Sequence, residues 1–208
     1  MATYNTLENA NDYALVDDVV FWWSKTLRKR VKRHGWNAYL VTFMFNHIPG
    51  GSTVKLKMMQ DSMCRFYSTL LTRVVRNPNS LSQLFNRPIM MAVPDYPVYK
   101  HKKVSLQDAK INDGLHFHAL LAVPSESRLK QDVGSHVQQY SGLYVKAPIQ
   151  RIHVDLIEAG NRRTIDYAMK SVKRQTCRWE DVLVLPKSPC EFACRSDQYK
   201  WLASLLCD

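Results

Sequence analysis

Two histidines one residue apart, His116 and His118, stand in the apolar run Leu115-His116-Phe117-His118-Ala119-Leu120-Leu121. Strand side chains alternate faces, so a strand here turns both imidazoles to one side and Phe117 to the other. Two neighbouring imidazoles on a stiff backbone make a bidentate metal site. In an apolar strand their ring nitrogens also need partners. Further along, Tyr167 and Lys170 are spaced i, i+3 in Thr164-Ile165-Asp166-Tyr167-Ala168-Met169-Lys170, which sets a phenol and an amine on one helix face. A phenol ionises at about pH 10, so it is a useful nucleophile at neutral pH only beside a Lewis acid or a cation. Taken singly, each pair also has a structural explanation: satisfied core histidines, or an amphipathic surface pair.

The elements that must position these residues follow from periodicity. Val16, Val20, Trp23, Leu27 and Val31 form one apolar stripe, which predicts a helix over 12–33 ended by Gly35. Tyr39 to Phe45 is apolar, β-branched and aromatic, a buried central strand. After Pro49-Gly50-Gly51, Ser52 or Thr53 can cap a helix that buries Met59, Met63, Phe66, Leu70 and Val74. Pro88–Val93 and Gly114–Val123 read as strands on either side of a polar, basic connection over 96–113. A helix is expected over 127–141, a strand over 152–157 and a helix from Arg162 to about Arg174, capped by Asn161. The order α-β-α-β-β-α-β-α predicts an α+β fold, a central antiparallel sheet flanked by helices. A basic helical extension (1–35) precedes the main domain (36–175). A C-terminal extension (176–208) packs on that domain, with a strand-like piece at 182–185 and a short helix at 196–206.

The charge narrows the partners. Lys and Arg number 29 against 18 Asp and Glu in 208 residues, a net +11, which excludes an acidic binding module and points to a polyanion. Residues 25–76 hold eleven bases and one acid, a localised basic surface. The apolar run Val19–Trp23 is too short to span a bilayer, and no basic leader region precedes it. Cys64, Cys177, Cys190, Cys194 and Cys207 show no disulfide framework, so reduced thiols in a cytoplasmic protein are expected. Cys190 and Cys194 lack the second pair that a structural zinc would need.

Three segments in order resemble the HUH endonucleases, in particular the rolling-circle replication initiators of bacterial plasmids and filamentous phages. They are the strand Tyr39-Leu-Val-Thr-Phe-Met-Phe45 with its central Thr42, the His116-Phe-His118 strand, and the Tyr167-Ala-Met-Lys170 helix. The resemblance spans roughly residues 36–175. It implies a sheet similar to ferredoxin-like and RNA-recognition modules, and Mg²⁺ or Mn²⁺ held by the two histidines and a third polar ligand. It implies that Tyr167 attacks the scissile phosphate of single-stranded origin DNA, leaving a 5′-phosphotyrosine and a free 3′-OH. Lys170 would stabilise the phenolate or hold DNA. The bacterial setting it implies is cytoplasmic. No phosphate-binding Gly-x-x-x-x-Gly-Lys motif follows, so a host helicase is the further partner expected.

The third ligand stays open among Asp95, His101, Asp113 and Glu158. In the family it often comes from just upstream of the histidines, which favours Asp95. Asp113 reads equally as a turn residue before Gly114. His153, on the fourth strand, is expected to be a hydrogen-bonded core histidine that could still lie near the site. Lys100, Lys102, Lys103, Arg162, Arg163, Lys173 and Arg174 are candidate DNA contacts, with Tyr96 and Tyr99 as stacking aromatics. Three other readings remain. One is a relaxase or transposase using the same chemistry. Another is a non-catalytic nucleic-acid-binding module with an RNA-recognition-like sheet. The last is a small metallohydrolase.

Overall fold

The structure is a computed structural model that describes residues 21–96, 111–157, 162–174 and 176–186. Five antiparallel strands form one sheet: β1 (Trp36–Phe45), β2 (Ile89–Asp95), β3 (His116–Pro124), β4 (Ile149–Ile157) and β5 (Leu183–Leu185). Their order across the sheet is β4-β1-β3-β2-β5. The α+β reading therefore holds, and the strand-like piece near 182–185 becomes an edge strand beside β2.

Strand parity sorts the residues onto two faces. On the first, Tyr39, Val41, Phe43 and Phe45 of β1 join Phe117, Ala119, Leu121 and Val123 of β3 in one core. This face is covered by α2 (Ser52–Val74), whose buried residues include Met59, Met63, Phe66, Leu70 and Val74, the predicted stripe. Phe66 packs edge-on against Phe43, with ring centroids 5.0 Å apart. The predicted 127–141 helix is two short ones, α3 (Val133–Gln139) and α4 (Ser141–Tyr144). The α3 cap is Asp132, whose carboxylate accepts the Ser135 N–H at 3.0 Å.

The second face carries a smaller core. Trp36, Ile89, Met91, Val93, Leu120 and Ala122 of the sheet meet Trp23 and Leu27 of α1, described over 21–34. They also meet Ile165, Ala168, Met169 and Val172 from the segment after β4. β3 is thus buried on both faces, which is why its run is apolar throughout apart from the two histidines. Gly35, at φ +65°, makes the left-handed turn from α1 into β1 that other residues rarely adopt.

Several local expectations change. Gly51, not Ser52 or Thr53, is the α2 cap residue, and it provides no side-chain hydrogen bond. The predicted 162–174 helix divides into α5 (Arg162–Ala168) and α6 (Lys170–Lys173) at Met169. Hydrogen bonds from Met169 N to Ile165 O and from Lys173 N to Met169 O, both 3.0 Å, still bridge that break. His153 is not a core histidine: its side chain is 68% exposed and pairs with Asp155 at 3.1 Å. The reason is that β4 is a sheet edge, which the small second core reaches at Ile157 and not at His153.

Candidate metal centre

The register of three strands builds the site. Thr42 on β1 lies opposite His118 on β3, and Asp95 at the end of β2 lies opposite His116. Directly paired residues share a face. The three candidate ligands and Thr42 therefore project from one face, at the end of the sheet where β3 begins. One ligand atom each from Asp95, His116 and His118 lies within 4.8 Å of the others. Of the third-ligand candidates among the described residues, Asp95 is the one brought to the histidines. Asp113 is turned to solvent and pairs with Lys55 at 2.8 Å. It has φ 57°, the turn role that the sequence allowed. His101 and Glu158 lie outside the described residues.

Hydrogen bonds set which nitrogen of each ring faces the centre. His116 Nδ1 is 3.0 Å from the Gly114 carbonyl, which can only accept, so Nδ1 donates and Nε2 keeps its lone pair. His118 Nδ1 is 3.1 Å from Thr42 Oγ1, and when it donates there its Nε2 faces inward too. The two Nε2 atoms are 3.3 Å apart. They lie 3.3 and 3.4 Å from Asp95 Oδ2. Three electron-pair donors converge, an arrangement that can hold a cation between them. Asp95 Oδ2 is buried without a hydrogen bond of good angle, and its close neighbours are the two rings and the Lys170 ammonium, 2.7 Å away.

The electrostatics agree. Burial alone would raise the Asp95 pKa, but His116, His118, Lys170 and Ser171 outweigh it and hold the carboxyl well below the usual range. Burial lowers the His118 pKa, with Asp95 pulling the other way, so the ring stays neutral, the metal-binding form. A buried Asp/His/His group that can hold a divalent metal is therefore present. Two imidazoles and one carboxylate suit Mg²⁺ less than Mn²⁺, which accepts nitrogen more readily.

The segment after β4 roofs this group. The Tyr167 ring centroid lies 5.0 Å from that of His118, and the side chain is 47% exposed. Lys170 Nζ is 4.3 Å from the Tyr167 ring and 2.7 Å from Asp95 Oδ2. Ser171 donates its hydroxyl to Asp95 Oδ1. No sequence signal singled out Ser171, and the Thr42 hydroxyl was marked by the motif without a partner. Asn112 was missed as well. Its side chain accepts the Ile48 N–H at 2.8 Å and donates to Asn46 O at 2.9 Å, tying the end of β1 to the start of β3.

The candidate DNA contacts divide. Arg163 and Arg174 are exposed. Lys173 pairs with Asp166 at 2.6 Å. Tyr96 is half-buried and packs against the α2-side core. Lys100, Lys102, Lys103, Tyr99, the Arg162 side chain and the Cys190/Cys194 pair lie outside the described residues. Cys177 is a free thiol. Among the described residues no helix is long and apolar enough to cross a membrane.

No family model, curated protein or solved structure matches the chain.

Proposed function

We propose that this protein nicks and rejoins single-stranded DNA through a phosphotyrosine on Tyr167, as HUH endonucleases do, and so initiates rolling-circle replication. One observation carries the reading: the Asp95, His116 and His118 ligand atoms converge within 4.8 Å, and Tyr167 lies against His118. The three sequence motifs and the net charge of +11 support it.

The chain's own residues divide the work. Asp95, His116 and His118 would hold Mg²⁺ or Mn²⁺, which when bound supplies a Lewis acid for the scissile phosphate. Thr42 and Ser171 orient two of the ligands. Tyr167 Oη gives up its proton to solvent and attacks phosphorus, the bond to the 3′ oxygen breaks, and that oxygen takes up a proton from solvent and leaves as a 3′-OH. The phosphotyrosine diester conserves the broken bond, so attack by a 3′-OH reverses the step. Lys170 sits beside the ring and can hold a phosphate oxygen during the exchange. Across β1 from the histidines, exposed Arg151 and His153 of β4 extend the same sheet face and offer a bed for the strand.

The test is covalent capture. With Mn²⁺ and a pool of random-sequence single-stranded oligonucleotides, a protein–DNA adduct should survive denaturation and map to Tyr167. EDTA or Tyr167→Phe should abolish it. An adduct that persists in Tyr167→Phe sinks the assignment of the nucleophile, and no adduct under any metal sinks the nicking reading.

A second reading rests on one contact. Lys170 Nζ at 2.7 Å already balances the Asp95 charge, as a structural ion pair in a metal-free nucleic-acid-binding module would. Such a module shifts an oligonucleotide equally well in EDTA and in Mn²⁺.

A further inference from the structure

On the face of the sheet away from the metal centre, a recess of about 500 Å³ opens between the end of α2 and the α3–α4 pair. Arg73 comes from α2, and Arg128 and Lys130 from the loop after β3; no carboxylate lines the recess. The fold holds one of these cations, Arg128, in place. The Arg128 N–H donates to Val74 O at 3.2 Å, and its guanidinium reaches Thr72 O at 3.5 Å. Leu129 and Leu143 anchor the walls in the α2-side core. Arg73 and Lys130 make no hydrogen bond or ion pair among the described residues, so their charge is directed outward. The positive field is felt inside as well. The buried His136 at the back of the recess, bonded to Tyr144 Oη at 2.9 Å, has its pKa lowered by burial and then by Arg73.

We propose that this recess is a second nucleic-acid contact, one that grips the phosphodiester backbone of duplex DNA on the side of the protein opposite the metal centre. Three cations from two elements, with no acid among them, fit a row of phosphates. A duplex is favoured over an unpaired strand because single-strand binding draws on free aromatic faces. The one exposed aromatic here, Tyr140, packs its ring on His136, with centroids 4.9 Å apart. The contact does not depend on the nicking reading, since none of its residues belongs to the metal centre. If both hold, the protein has one surface for the duplex flank and another for the strand it cuts.

The experiment is a salt titration of binding to a fluorescently labelled random-sequence duplex. Arg73→Ala/Lys130→Ala removes no hydrogen bond or ion pair among the described residues and should fold normally by circular dichroism. It should bind about tenfold or more weakly near 0.1 M salt, with the slope of log K against log salt reduced by about 2. Arg73→Lys should keep the slope. Covalent capture of single strands by the double variant should be unchanged. Unchanged duplex affinity and slope in the double variant overturn the proposal. It also falls if His116→Ala/His118→Ala loses the duplex as fully, because the duplex then sits at the metal centre. Adenosine monophosphate provides the last arm. If it stabilises the wild type but not the double variant while duplex binding stays equal, the recess takes a small anion and the duplex assignment is wrong.

Discussion

Lys170 Nζ stands 2.7 Å from Asp95 Oδ2, on the same oxygen that the two inward-facing histidine nitrogens approach. The ammonium and a divalent cation therefore compete for one carboxylate. Metal binding would release Lys170 toward the Tyr167 ring and whatever phosphate lies above it, coupling the ligand set to the nucleophile's neighbour.

Lys170→Met tests that coupling through stability. The Asp95 side chain is 1% exposed, and removing its cation leaves a buried charge unbalanced. The loss in metal-free protein should be about 3 kcal/mol. Mn²⁺ should restore the melting temperature by binding the vacated carboxylate. Equal melting of the variant in EDTA and in Mn²⁺ would argue that the group holds no metal.

Thr42→Val keeps shape and removes the hydroxyl 3.1 Å from His118 Nδ1. Partners of this kind fix the ring and its tautomer, so Mn²⁺ affinity should fall between about 10- and 100-fold with little change in melting temperature. Isothermal titration reads this directly. An unchanged dissociation constant would remove Thr42 from the site.

Asn112 is buried at φ 53°, and its amide joins Ile48 and Asn46 to the approach to β3. Asn112→Ala loses both hydrogen bonds and puts a Cβ without a polar side chain in the left-handed region. Urea unfolding should show a loss of about 2–4 kcal/mol. Asn112→Gly, relieved of the backbone strain, should lose less. If the two variants unfold at the same urea concentration, the backbone conformation carries none of the cost.

His136 predicts an acid sensitivity remote from the metal centre. Its folded pKa is below the ordinary value because of burial and Arg73; Tyr140 and Tyr144 are the ring groups against it. The unfolded chain therefore binds the proton more tightly than the folded one. The stability from neutral His136 is complete above about pH 6.5, the ordinary histidine value, and is lost as pH falls through the lower folded value. Urea midpoints at pH 7.5 and 5 should differ less in His136→Gln than in the wild type. An equal difference in both would clear His136.

Much of the site was legible because its rules are local. Alternation alone sets His116 and His118 on one side of a strand, and i, i+3 spacing sets Tyr167 near Lys170. The α2 stripe and the edge strand near 182–185 follow from the same kind of pattern. The helix division at Met169 was not legible, because no glycine or proline marks it. Met169 is fully buried in the second core, so tertiary packing governs the segment there. His153 was misjudged because alternation tells which residues share a face, not whether anything covers that face.

By itself, then, the sequence determined which residues share a strand face, which helix stripe is buried, and that a positive surface would exist. Only the tertiary structure decided that Asp95, and not Asp113, completes the group. β2 pairs with β3 so that Asp95 falls opposite His116, whereas the turn before β3 sends Asp113 out to Lys55. Strand order and register are long-range choices set by two-sided burial of β3, and no local spacing encodes them.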